Sequence, residues 1–208
     1  MSIDTIINNL SGKGDPFAHM DSAYRKKYVH AIPNTEVIQR AAFILHKCMD
    51  KVVLDIGCGD NLHTEIQQIS KQVYGLDIVK YDYPNFHQCD VTKPEEFRAT
   101  VFPGIELILC CDIIEHLSNP GTFLDTLREI YPGTEKMFCA PNFQAGFFGD
   151  YIKRGYENVN PEHVAYYSYN TMKNLLTRHG YTIKEFYWYE NKNNYPHGFN
   201  EGVLFITV

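Results

Sequence analysis

Apolar positions along the chain alternate between two spacings, one helical and one extended. Behind Asn34, a residue suited to capping, Val37, Ile38, Ala41, Leu45 and Cys48 recur at helical intervals, with Glu36 in the first turn and His46 and Lys47 near the end. Lys51–Ile56 is a short β-rich run that ends in glycines, and Asn61–Ser70 reads as a helix. Gln72–Ile78 predicts a second strand, Asn85–Val91 a shorter third, and Pro94–Thr100 a brief helix. Glu106–Cys111 is nearly unbroken apolar sequence, as expected of a strand in the buried middle of a parallel sheet. Pro120–Ile130 predicts a helix opened by proline in its first turn and stopped at Pro132-Gly133, followed by a fifth strand at Lys136–Ala140. Ser168 caps a helix whose Met172, Leu175 and Leu176 form the buried stripe and which Gly180 ends. Tyr181–Tyr189 and Val203–Val208 are the last two strands, joined by the long polar connection Glu190–Gly202.

Five βα units followed by a strand pair predict an α/β, doubly wound sheet with helices on both faces. With 208 residues there is room for one sizeable core, so a single domain over 1–208 is expected, with 1–33 as an N-terminal arm carrying a short helix near Ser22–Val29. A net charge of −6 argues against a broad nucleic-acid surface, which needs basic residues to meet phosphates. The six cysteines form no C-x-x-C pair, which points to neither a disulfide scaffold nor a zinc site. Cys110 and Cys111 are neighbours in an apolar run and should point to opposite faces of a strand. No apolar run approaches ~18 residues and the first residues lack a leader pattern, so no membrane span and a cytoplasmic location are expected.

The candidate chemistry gathers at the ends of the predicted strands. Val52-Val53-Leu54-Asp55-Ile56-Gly57-Cys58-Gly59-Asp60-Asn61 sits between a strand and a helix, where glycines let the backbone approach a ligand. A dinucleotide loop would need a third glycine where Leu62 stands. Asp55 would also repel a pyrophosphate, whereas it suits the ammonium of an amino-acid cofactor. Asp77 follows 22 residues later, about the spacing at which an acid reaches ribose hydroxyls in a βαβ nucleotide site. Asp90 ends the third strand beside Val91, an arrangement suited to an adenine amino group and ring. The three acids are expected to face one crevice.

From Asn34 to Val208 the chain resembles class I S-adenosylmethionine-dependent methyltransferases of the ubiquinone-biosynthesis O-methyltransferase type. The resemblance rests on Asp55-Ile56-Gly57-Cys58-Gly59, Gly75-Leu76-Asp77, Cys89-Asp90-Val91, Asp112-Ile113-Ile114-Glu115-His116-Leu117 and the closing Ser168–Gly180 helix. It implies a Rossmann-like, seven-stranded sheet whose last strand is antiparallel. It also implies a glycine loop holding the methionine part of S-adenosyl-L-methionine, Asp77 the ribose, and Asp90 with Val91 the adenine; Ile78 and Cys111 complete the expected cofactor-binding set. Asn61 stands where the family loop often carries a further glycine, and asparagine tolerates the left-handed backbone needed there.

Methyl transfer from an activated sulfonium needs positioning and, for a hydroxyl acceptor, a base or a Lewis acid. Asp112-Ile113-Ile114-Glu115-His116 resembles the E-x-x-E-H motif of metal-assisted O-methyltransferases, with Asp in place of the first Glu. Asp112, Glu115 and His116 therefore offer a ligand set for a divalent metal such as magnesium, while a metal-free reading keeps His116 as base beside the crevice. His163, in Asn160-Pro161-Glu162-His163-Val164, stands where small-RNA 3′-end 2′-O-methyltransferases place a further histidine ligand; in the wider small-molecule families a similar histidine only shapes the acceptor pocket. Residues 141–167, with Gly146, Gly149 and Gly155 among Phe147, Phe148, Tyr151 and Tyr156, read as an insertion covering the substrate. The expected activity is O-methylation of a small-molecule hydroxyl or carboxylate, such as a phenol or a sugar. Two readings stand beside it. Acidity weighs against RNA 3′-end 2′-O-methylation, and the intact loop weighs against a non-catalytic S-adenosylmethionine-binding partner protein.

Overall fold

The computed structural model of the protein describes residues 20–28, 33, 35–59, 62–145, 151–190 and 201–208. The chain divides into two compact units, 1–34 and 35–208. In the first, helix α1 (Ser22–Tyr28) is capped by Asp21, whose Oδ1 accepts from the amides of Ala23 and Tyr24 at 2.9 and 3.1 Å.

The second unit is an α/β sheet sandwich. Its elements run β1 (Val37–Gln39), α2 (Arg40–Cys48), β2 (Val52–Ile56), α3 (His63–Ile69), β3 (Gln72–Asp77), β4 (Phe86–Gln88), α4 (Pro94–Ala99), β5 (Leu107–Cys111), α5 (Pro120–Ile130), β6 (Glu135–Pro141), α6 (Tyr169–Arg178), β7 (Ile183–Glu190) and β8 (Gly202–Thr207). The sheet order is β1-β7-β8-β6-β5-β2-β3-β4, with β8 antiparallel between β6 and β7 and all other pairs parallel. This is the expected sheet with one strand added at its edge. Val37–Gln39, which the apolar spacing assigns to a helix, instead pairs in parallel with Trp188–Glu190. The helix begins at Arg40, where the Gln39 side chain accepts from the Ala42 amide at 2.7 Å. Among the described residues no helix is long and apolar enough to cross a membrane.

Strand alternation divides the core into two layers. Leu54, Ile56, Ile108, Cys110 and Phe138 face Phe123, Leu127, Met172 and Leu176 of α5 and α6. Val53, Leu107, Leu109, Met137 and Cys139 face Ile44 and Cys48 of α2 and Ile66 of α3. Asp55 shares the parity of Val53, so it is turned towards α2 and α3. Cys111 shares the parity of Leu109 and belongs to the same layer. The order reverses at β2, which has β5 on one side and β3 on the other; ligands bind open α/β sheets at such a point, beyond the carboxyl ends of the strands.

The β7–β8 pair closes this end tightly. Gly202 lies opposite Tyr189, and a Cβ at 202 would overlap the Tyr189 ring. That ring cannot swing away easily, because it is buried, lies under the Arg40 guanidinium and donates its hydroxyl to Asp112 Oδ1 at 3.5 Å. Gly202→Ala is expected to cost about 1–3 kcal/mol through overpacking. Calorimetry would show this as a melting temperature lowered by several degrees; an unchanged melting temperature would mean that the ring yields.

Candidate active site

The glycine loop leaves β2 through two residues with left-handed backbone, Gly57 (φ 71°) and Gly59 (φ 48°). Gly57 is also closely packed, since a Cβ there would lie 3.3 Å from Ile113 Cδ1. The amides of Gly57 and Cys58 donate to Leu76 O at 2.8 and 3.2 Å, tying the loop to β3. Asp77 completes the tie: Oδ2 accepts from the Gly59 amide at 3.1 Å and Oδ1 from the Val79 amide at 2.8 Å. Asp60 and Asn61 lie outside the described residues, as do Asn34, Gly146, Phe147, Phe148, Gly149 and the connection 191–200.

Two cavities open beside this loop. One, of about 440 Å³, is lined by Asp77, Ile78, Asp90, Val91, Ile113 and His116 among others. The other, of about 500 Å³, is lined by Arg40, Asp55, Cys58, Leu62, Cys111 and Asp112 among others. Gly57 and Asp112 line both. The nine expected cofactor residues thus fall around this crevice, Asp77, Ile78, Asp90 and Val91 in the first cavity and Asp55, Cys58 and Cys111 in the second, with Gly57 in both and Gly59 bonded to Asp77. The three acids do not converge on one point, because the alternation of β2 turns Asp55 to the α2/α3 side. Asp90 Oδ1 accepts from the Thr92 hydroxyl at 2.6 Å and the Thr92 amide at 3.0 Å, and the hydroxyl contact above all holds this carboxyl below its usual range.

A second constellation stands at the mouth of the first cavity. Glu115 and His116 lie in the short 3₁₀ turn Ile114–His116 that follows β5. Residues 163–165 are drawn against that turn by backbone bonds, the Val164 and Ala165 amides donating to Glu115 O at 2.9 and 3.2 Å. His163 Nε2 is 3.9 Å from Glu115 Oε1, and the His116 and His163 rings meet edge to face with centroids 4.7 Å apart. One ligand atom from each of Glu115, His116 and His163 can be chosen so that all lie within 4.8 Å of one another. Glu115 is 1% exposed and neither carboxylate oxygen has a hydrogen-bond partner among the described residues. Burial, with the charge of Asp112 second, pushes this carboxyl up to about 8. Burial and the neighbouring His116 lower His163, which favours its neutral, metal-ligating form.

Asp112 departs from the expected arrangement. Helical spacing would bring it onto the face of Glu115, but its φ of 51° ends that spacing at the strand terminus. Its side chain pairs instead with the Arg40 guanidinium and accepts from Tyr189. Its place beside Glu115 and His116 is taken by His163. Arg40 and His63, which no sequence pattern singles out, are the other additions to the crevice. Arg40 lines the second cavity, and His63 stands behind Asp55, with Nδ1 and Oδ2 2.8 Å apart.

Comparison with known proteins agrees with this architecture. The fold is similar to that of an S-adenosylmethionine-dependent methyltransferase from Archaeoglobus fulgidus, with a TM-score of 0.57 at 14% identity, covering 89% of this chain and 97% of that one. A similar enzyme from Clostridium acetobutylicum gives a TM-score of 0.56 at 14% identity over 92% of this chain and 97% of its own. The small RNA methyltransferase HEN1 gives a TM-score of 0.59 at 13% identity, over 86% of this chain and 26% of that much longer one. No curated protein matches the sequence. The sequence profile of the methyltransferase domain family matches residues 24–185, and the chain belongs to that family.

Proposed function

We propose that the protein transfers the methyl group of S-adenosylmethionine to an oxygen of a small-molecule acceptor, a phenol, a sugar or a carboxylate, at the Glu115–His116–His163 cluster. The observation that carries this is the buried Glu115 carboxylate, without a hydrogen-bond partner among the described residues and beside two imidazoles, one of which also lines the cavity beside the glycine loop. A buried acid with no hydrogen-bond partner among the described residues is costly. The oxygen and nitrogen donors fit a divalent cation such as magnesium or manganese, with Glu115 supplying the anionic ligand and His116 and His163 the neutral ones. Held there, such a cation would lower the pKa of an acceptor hydroxyl and orient its oxygen.

The crevice divides naturally for the donor. Asp77 meets the ribose while holding the loop, and Ile78, Asp90 and Val91 meet the adenine. Asp55, with Gly57, Cys58, Gly59 and Cys111, meets the methionine part, Asp55 accepting from its ammonium. This leaves the sulfonium methyl near Gly57 and Asp112, which line both cavities, and close to the cluster. The described residues 141–145 and 151–167 cover the acceptor.

A second reading, methylation of an RNA 3′-terminal ribose, is favoured by the same trio of side chains and by the fold shared with an RNA methyltransferase. The net charge of −6 favours the small acceptor. Labelled S-adenosylmethionine offered with pools of phenols, sugars and organic acids, and separately with short RNAs bearing free or blocked 3′ ends, decides between them. Label entering only RNA with a free 3′ end would overturn the small-molecule reading. For the donor, Asp77→Ala is expected to weaken S-adenosylhomocysteine binding by about 10- to 100-fold, the value of a charge-assisted hydrogen bond, against little change in Asp82→Ala. Calorimetry showing equal affinities would remove Asp77 from the site.

A further inference from the structure

Behind Asp55, which lines the second cavity, a histidine is buried. His63 is the first residue of α3 and is 0% exposed. Its Nδ1 lies 2.8 Å from Asp55 Oδ2. A carboxylate only accepts, so Nδ1 carries the proton. The ring packs against Tyr83 with centroids 4.7 Å apart, and Nε2 has no hydrogen-bond partner among the described residues. Space for the ring comes from Gly75 in β3, where a Cβ would lie 3.0 Å from His63 Cε1 and 3.2 Å from Nε2. Glycine inside a strand is unfavourable unless something must approach the backbone closely. Three elements, β2, β3 and α3, thus combine to set one N–H against one oxygen of an acid that lines a cavity.

We infer that His63 is a positioning residue for the amino-acid end of the methyl donor. Its Nδ1–H fixes Oδ2 of Asp55 and so aims the remaining oxygen at the donor's ammonium. This rests on the reading of Asp55 as the ammonium acceptor. It explains why a polar ring whose Nε2 has no partner among the described residues is kept in the core: the cost is offset by an acid whose rotamer is set before the donor arrives.

The test compares two ligands, S-adenosylhomocysteine and 5′-methylthioadenosine, which share the adenosine and differ in the amino-acid end. Affinities are measured for the wild type, Asp55→Asn, His63→Asn, His63→Gln and His63→Leu. An asparagine amide nitrogen falls where Nδ1 stands, and a glutamine amide nitrogen falls nearer to Nε2. His63→Gln and His63→Leu are expected to weaken S-adenosylhomocysteine by about 10-fold or more. Methylthioadenosine should change by no more than about twofold, and His63→Asn should recover most of the loss. Methylthioadenosine binding also reports that each variant is folded, and the Asn/Gln contrast stands even if the Leu variant does not fold. Equal losses on both ligands, or Asn behaving as Gln, would overturn the inference. So would a loss in Asp55→Asn without one in His63→Gln. If Asp55→Asn itself leaves S-adenosylhomocysteine binding unchanged, the reading of Asp55 fails first.

Discussion

Methyl transfer by the purified protein is expected to stop in excess chelator and to return when magnesium or manganese is added back. The reason lies in Glu115, whose buried carboxyl is pushed up to about 8 by burial and then by Asp112, and whose oxygens have no partner among the described residues. A cation between Glu115, His116 and His163 would give both oxygens a partner and cancel the charge that burial penalises. Glu115→Gln and His116→Ala should then lower turnover by ~10²–10⁴-fold, in the range of a positioned catalytic group or metal ligand, with S-adenosylhomocysteine binding largely kept. His163→Ala separates two mechanisms. As a ligand it should lower turnover alongside His116→Ala. If His116 instead acts as a base, His163→Ala should chiefly raise the acceptor's KM while His116→Ala lowers turnover. Full activity in excess chelator would remove the cation and leave His116 as the proton acceptor.

Much of the fold is legible in the sequence because local and tertiary preferences agree there. Leu107–Cys111 is apolar throughout and is the buried strand beside the switch point. Pro120 and Ser168 mark helix starts that the structure keeps, the latter in a reciprocal cap with Thr171. The glycine loop and Asp77 are equally legible, since the left-handed turns at 57 and 59 require the residues found. Legibility ends where position depends on a partner far away in sequence. Val37 and Ile38 fit a helical stripe as well as an edge strand, and only pairing with β7 decides. The face shared by Asp112 and Glu115 assumes a helix that the backbone of Asp112 does not enter. His163 joins the cluster through two backbone bonds to Glu115 O, which no spacing announces. His63 looks like a histidine at random on a helix until β2 and β3 are folded around it.

The largest stability effect is expected at Glu115, the acid proposed to hold the cation. With a chelator present, Glu115 is close to neutral in the folded protein below its raised pKa of about 8, whereas the unfolded chain ionises it near the ordinary 4.5. Between those two values the unfolded state holds fewer protons than the folded one, so stability falls as pH rises. Above about 8 the penalty is complete. Glutamine has the shape of the neutral acid and no charge to lose, so the Glu115→Gln variant should lie within about 1 kcal/mol of the wild type near pH 5. At pH 9 it should exceed the wild type by about 3–5 kcal/mol, since every tenfold change in the ionisation equilibrium corresponds to about 1.4 kcal/mol. Denaturant unfolding of both proteins at the two pH values measures the difference directly, and common titrations elsewhere in the chain cancel. Magnesium or manganese should close the gap by stabilising the wild type alone, through binding to the folded state. A gap that is already present at pH 5 and does not grow would mean that the variant stabilises through packing. In that case the Glu115 carboxylate carries no stored electrostatic cost for a cation to relieve.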